Sequence, residues 1–201
     1  MRLGLLGPAR GNHEALLRAA QFLGGEIAVD RAVYLAADGA LDQVILEWAR
    51  ALVGGDPAEE AIWKRAQRCI AASAAEIDEH VACERERRLL RSFEALPSDG
   101  ARLVELLNGQ VAVMIHDADD LDEEDMLPAA FMLYGSSEQP VVTQVGSRWF
   151  LAPGTLDHFG IMLLDEREDG VHLTLFDSLC REVRRERLTQ EQKKGPKLTV
   201  K

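Results

Sequence analysis

Residues 2–12, Arg2-Leu3-Gly4-Leu5-Leu6-Gly7-Pro8-Ala9-Arg10-Gly11-Asn12, decide the fold class of this chain. A short apolar run closed by Gly7-Pro8 reads as a buried strand, Arg2–Leu6, and its turn. Asn12 stands where a helix N-cap belongs, because Leu16, Ala20 and Leu23 then share one face, with Leu17 beside them. Gly24-Gly25 is expected to stop that helix near Leu23. The same unit follows again: Ala32–Ala37 reads as a strand, Asp38-Gly39 as its turn and about 41–53 as an amphipathic helix. Strand, turn and helix twice over imply a parallel βαβ start, with functional groups at the carboxyl ends of the strands.

Asp56-Pro57-Ala58-Glu59 is a strong helix start, an Asp cap followed by Pro and an acidic residue. No Gly or Pro follows until Pro97. Ile62, Ala66, Ile70, Ala74, Ile77 and Val81 form a helical stripe, the charged run Glu84–Arg88 interrupts it, and Leu89, Phe93 and Leu96 resume it. One continuous helix would be about 60 Å long, more than a compact crossover requires; a helix pair broken near the charged run fits equally well. From Val111 the pattern turns to strands. Val111–Ile115 ends at His116 and Ala130–Tyr134 ends at Gly135. Pro140–Val145 and Arg148–Leu151 flank Gly146-Ser147, and Gly160–Leu164 and Val171–Phe176 flank a loop ending Asp169-Gly170, two hairpin signals.

Composition bounds the rest. The 201 residues suit one compact domain, and 47% hydrophobic with 28% charged residues is ordinary for a globular chain. A net charge of −11 argues against nucleic acid or an anionic membrane as partner. No apolar stretch approaches the ~20 residues of a membrane span, and residues 1–8 lack the apolar core of a signal peptide. Cys69, Cys83 and Cys180 form no CxxC pair, which fits a reducing, cytoplasmic compartment. Residues 189–201 read as a polar, disordered tail.

The order of the turns resembles the calcineurin-like metallophosphoesterases, especially the small bacterial and archaeal phosphodiesterases and the phosphoesterase-fold subunit of retromer. That family opens with a strand ending Asp-x-His-Gly-Asn; the stretch similar to it here is Pro8-Ala9-Arg10-Gly11-Asn12. The family's second strand ends Gly-Asp, and Ala37-Asp38 takes its place. A strand ending His-Gly is mirrored by His116-Asp117, and Gly-His-Thr-His-x-Pro by Gly135-Ser136-Ser137-Glu138-Gln139-Pro140. Ala152-Pro153-Gly154-Thr155 echoes Asn-Pro-Gly-Ser. The resemblance covers about 1–55 and 105–185, and implies an αββα sandwich of class α/β spanning 1–188. Residues 56–104 have no counterpart and read as a helical insertion, standing where the family's Gly-Asn-x-Asp motif is absent.

The resemblance also says what the chemistry would need. Family members hold two divalent cations with Asp, His and Asn ligands, which clamp a phosphate and generate a hydroxide nucleophile. Here the first Asp position is Pro8, which has no ligand atom, and the first His is Arg10, a permanent cation. The two histidines of the later turn are Ser136 and Glu138. Pro8, Arg10, Asn12, Asp38, His116, Ser136 and Glu138 are therefore vestigial metal-site positions. No catalytic residue, metal or cofactor is expected. Arg10 is either a solvated loop arginine or a fixed cation in place of the metals, paired with Asp38 or Glu138.

Other features carry less chemistry. His116 alone suits a hydrogen-bonded turn better than a general base. The acidic stretch 117–125 lacks the glycine and spacing of a calcium loop; it reads as solvated, or as a docking surface for a basic partner. No phosphate-cradling GxGxxG or GxxxxGK[ST] run is present. Trp48 and Trp63 read as packing residues, and Trp149 as packed or exposed on its hairpin. The resulting expectation is a non-catalytic scaffold or regulatory subunit that binds a protein or self-associates as a homodimer through helices 56–96. A metal-dependent phosphodiesterase or phosphatase with an atypical or single-metal site is the alternative, and a phosphate-sensing role around Arg10 a third reading.

Overall fold

The computed structural model describes residues 1–98 and 100–188; the expected tail 189–201 lies outside the described residues. Strand β1 (Arg2–Leu6) sits inside a six-stranded mixed sheet, and its alternation explains why the molecule is layered. Leu3 and Leu5 point to a second sheet, while Leu6 lies under the helices and Gly4 lets the Leu23 side chain come close. Helix α1 (His13–Phe22) starts where expected, with the Asn12 side chain accepting from the Ala15 N–H at 3.1 Å. It does not stop at Gly24-Gly25. A π-turn over Leu23–Ile27 carries the chain through both glycines and ends at Ala28, whose φ is 54°. β2 (Arg31–Tyr34) then pairs parallel with β1, and α2 (Ala40–Val53) packs beside α1 on the same face.

Residues 56–98 depart most from expectation. Asp56 binds the Ala58 N–H at 2.9 Å, but regular structure begins only with a 3-10 turn at Glu59–Ala61, then the short α3 (Ile62–Ala66). The chain breaks after a second 3-10 turn, before α4 (Ala74–Leu89), and not at the charged run. The reason is a capping box: Ser73 accepts from the Glu76 N–H, and the Glu76 carboxylate accepts from the Ser73 N–H at 2.7 Å. Phe93 and Leu96 do not extend the helix. Phe93–Ala95 is strand β3, parallel to β2 at the edge of the first sheet, so 56–92 lies inside the long crossover between those two strands.

The charged run stays helical because part of it points inward. Glu84 and Arg87 are the buried residues of α4, and Arg65 is the buried residue of α3. Arg65 Nε donates to Glu84 at 2.5 Å, Arg87 Nε to Glu84 at 2.9 Å, and Arg87 Nη2 to Glu59 at 2.8 Å. Arg65 also donates to the carbonyls of Asp56 and Ala58 at 2.7 and 2.9 Å, closing the turn that precedes α3. Much of the apolar stripe is left outside, with Ile70 84% and Leu89 62% exposed, and Trp63 beside it is 78% exposed. Trp63 is thus not a core residue, whereas Trp149 is buried between the sheets.

The second sheet is built from β4 (Leu103–Leu107), β5 (Gln110–Ile115), β6 (Ala129–Tyr134), β7 (Val141–Val145) and β8 (Arg148–Ala152), in the order β4-β5-β6-β8-β7. β5, β6 and β8 run parallel. β4 is absent from the sequence reading, although Asn108-Gly109, with φ of 50° and 72°, is a strong hairpin signal. β9 (Ile161–Arg167), β10 (Gly170–Phe176) and β11 (Glu182–Leu188) complete the first sheet, β11-β10-β9-β1-β2-β3. β11 also escaped the sequence reading, because Arg184, Arg185, Glu186 and Arg187 hide its alternation. The sheets share a core of Leu3, Leu5, Val33, Met114, Phe131 and Leu151, among others. Arg31 bridges them at one side, pairing with Glu94 on β3 and Glu105 on β4.

The layering is α-β-β-α, with a thin fourth layer. The acidic stretch folds back across the outer face of the second sheet as a 3-10 turn, Ala118–Asp120, and the one-turn helix α5 (Glu123–Met126). Leu121 and Met126 anchor it on Val113, Ala129 and Met132.

Candidate functional site

The carboxyl ends of β1, β2, β5, β6 and β8 meet along one rim, and backbone contacts too close for any side chain lock them there. A Cβ on Gly7 would stand 1.7 Å from the Gly154 carbonyl oxygen, and one on Gly135 would stand 2.0 Å from that of Leu35. The Leu156 N–H donates to the Pro8 carbonyl at 3.1 Å, and the N–H groups of Gly135 and Ser136 both donate to the His116 carbonyl, at 2.9 and 2.8 Å. These contacts bring Pro8, Arg10, Asn12, Asp38, His116, Ser136 and Glu138 to the same rim, on loops that sequence order keeps far apart.

Each side chain there is already engaged. Pro8 is buried and offers no donor. Arg10, at φ 48° in the left-handed region, reaches across the rim, and its Nη1 donates to Glu138 at 3.2 Å. Of the two partners open to it in sequence, the structure selects Glu138. Both side chains are exposed, 48% and 74%, so the pair contributes at most about 1 kcal/mol. Asp38 is used internally: one oxygen accepts from the Ala40 N–H at the start of α2 at 3.0 Å, the other from the Tyr34 hydroxyl at 2.9 Å. Asn12 caps α1. His116 Nδ1 donates to the Leu35 carbonyl at 2.8 Å, tying the two sheets, and Ser136 donates to Asp117 at 3.2 Å. Among the described residues no three His, Cys, Asp or Glu side chains converge in a way that could hold an ion.

Sequence reasoning missed Tyr34. It is fully buried, accepts from the Ala9 N–H at 2.9 Å and donates to Asp38. Burial pushes its phenol well above the ordinary value, and the Asp38 carboxylate pushes the same way. A tyrosine at the end of β2, four residues before the aspartate, is the trace the sequence offers of this link. Tyr34→Phe leaves the buried Ala9 N–H without its acceptor and frees Asp38. The expected cost is about 1–3 kcal/mol, read from urea unfolding; a loss under about 0.5 kcal/mol means water replaces the hydroxyl without penalty.

The donor set present at the rim does not fit a pair of divalent cations: Pro8 has no side-chain ligand atom, Arg10 is a permanent cation, and the Glu138 carboxylate accepts from that arginine.

No protein-family profile matches the sequence, and no curated protein matches it at a significant level. Solved structures do match the fold. An archaeal phosphodiesterase superposes with a TM-score of 0.52 at 12% identity, over 88% of this chain and 100% of its own. A single mutant of Vps29 from Entamoeba histolytica superposes with a TM-score of 0.51 at 12% identity, over 94% of this chain and 98% of its own. The chain therefore has the metallophosphoesterase-like α/β fold.

Proposed function

We propose that this chain is a non-catalytic phosphoesterase-fold protein that serves as a protein-interaction scaffold or regulatory subunit. The observation that carries this reading is the Arg10–Glu138 pair, which spans the rim beside the donor-less Pro8. Asp38 and His116, the two surviving ligand-type residues, support it further, since both serve as structural hydrogen-bonding groups. Phosphoesterase chemistry needs ligands free to face a metal, and here they brace the rim. The expected setting is the cytoplasm, in keeping with three free thiols. Among the described residues no helix is long and apolar enough to cross a membrane.

The test is hydrolysis of a chromogenic phosphodiester with and without added manganese. The expected result is no metal-dependent turnover above the rate of buffer with manganese alone, in wild type and in Arg10→Ala alike. Robust turnover that disappears in Asp38→Ala or His116→Ala would establish the alternative, a phosphodiesterase or phosphatase with an atypical or single-metal site.

A further inference from the structure

The α3–α4 hairpin is packed inside out, and this gives it a binding face. Its interior holds Arg65, Glu84 and Arg87, so the apolar side chains of both helices have no place beneath them. They line an open groove of about 310 Å³ between the helices, with Ile62, Trp63, Ala66 and Val81 as floor and wall. Trp63 is 78% exposed and Val81 39%. Exposed apolar side chains gathered along one groove, unlike single scattered ones, mark an interaction site, and Trp63 is an aromatic anchor suited to one.

The rim of the groove names the partner's chemistry. Arg85 and Arg88 border it, and Lys64 is exposed on α3 next to Trp63. None of the three forms an ion pair among the described residues, whereas Glu84, the acidic residue in the groove wall, is consumed by Arg65 and Arg87. A basic, apolar groove on a chain of net charge −11 selects by charge. The chain's own residues 189–201, with four lysines against one glutamate, match it poorly. A twofold contact of the groove with a second copy sets Arg85 and Arg88 against themselves. We infer that the α3–α4 groove docks an acidic amphipathic helix of another protein, whose apolar residues at i, i+3 or i+4 and i+7 cover Trp63 and Val81 while its carboxylates meet Arg85 and Arg88. This rests on the scaffold reading and supplies its docking face.

The test uses the full chain and a displayed library of helical peptides of about 15 residues, long enough to span α4. Apolar positions are fixed at i, i+3, i+4 and i+7, and the flanking positions are drawn from Glu, Lys and Ala. Selection is expected to enrich Glu at the flanks, and synthetic copies of the enriched peptides should lose about tenfold or more in affinity against Trp63→Ala and against the Arg85→Glu/Arg88→Glu pair. These are exposed residues, so circular dichroism should stay unchanged. Selection with no preference for Glu over Lys, or binding that survives both variants, overturns the inference. So does a dimer at tens of micromolar that Trp63→Glu dissolves, because the occupant is then a second copy. Failure here leaves the absence of turnover untouched, and manganese-dependent turnover overturns the scaffold reading whatever the library returns.

Discussion

Gly7→Ala should cost about 4 kcal/mol or more, lowering the melting temperature by roughly 8–16 °C if the chain folds at all. The expected size follows from what the new methyl group meets. Its carbon would stand 1.7 Å from the Gly154 carbonyl oxygen and 3.0 Å from the carbon of that group. Neither atom belongs to a flexible side chain. Gly154 is itself held at φ +80° against Pro140, and Gly7 donates its N–H to Gly160 at 2.8 Å, so neither loop can retreat without breaking the rim. Gly25→Ala is the matched control, because nothing lies within 4 Å of a Cβ there. Differential scanning fluorimetry of both variants is sufficient. A Gly7→Ala protein melting within about 2 °C of wild type would mean the β1 and β8 loops separate freely, and the rim would not be the rigid frame described above.

Glu84→Gln is expected to cost about 3–5 kcal/mol, for a different reason. Neutralising the shared carboxylate leaves Arg65 buried with no carboxylate partner and Arg87 with Glu59 alone. Arg65 and Arg87 are only 3% and 6% exposed, and Glu84 is the carboxylate both of them share. Burial alone would push the Glu84 carboxyl up. The hydrogen bonds and charges of Arg65, then Arg87, outweigh that and hold it at about 2, against an ordinary value of 4.5. A carboxyl lowered on folding stabilises the fold fully above its unfolded value and loses that contribution as pH falls toward its folded value. About 3 kcal/mol should therefore be present above pH ~5 and disappear progressively toward pH ~2. Urea unfolding across that range should show a steeper acid slope for wild type than for Glu84→Gln. Equal slopes would place the arginines' compensation elsewhere, and a loss under about 1 kcal/mol would show that the hairpin opens to water without global cost.

The βαβ start was legible because its signals are local: an apolar run of strand length, Gly-Pro, then an Asn in capping position. At the rim the sequence shows only the chemistry of single residues: Pro8 has no side-chain ligand atom and Arg10 is a cation wherever the chain puts them. The hairpin was not legible. A stripe such as Ile62, Ala66, Ile70, Ala74, Ile77 and Val81 ordinarily marks the buried face, and a run such as Glu84–Arg88 the solvated one. Here Glu84 and Arg87 of the run are buried while the stripe is half-buried or exposed, because Arg65, nineteen positions away from Glu84, supplies the countercharge that makes burial of that carboxylate tolerable. No local window contains both residues. Strand β11 failed for a related reason, since its membership rests on pairing with β10 and not on apolar alternation.

By itself, then, the sequence determined the α/β class, the parallel start and the two later hairpins. These follow from covalent structure and from interactions within a few residues. Only the tertiary structure decided that Arg10 takes Glu138 while Asp38 goes to Tyr34, that Glu84 and Arg87 lie inside, and that Trp63 is left in water. Each of those outcomes is a competition between partners distant in the chain, settled by which groups the packed sheets and helices bring within hydrogen-bonding distance.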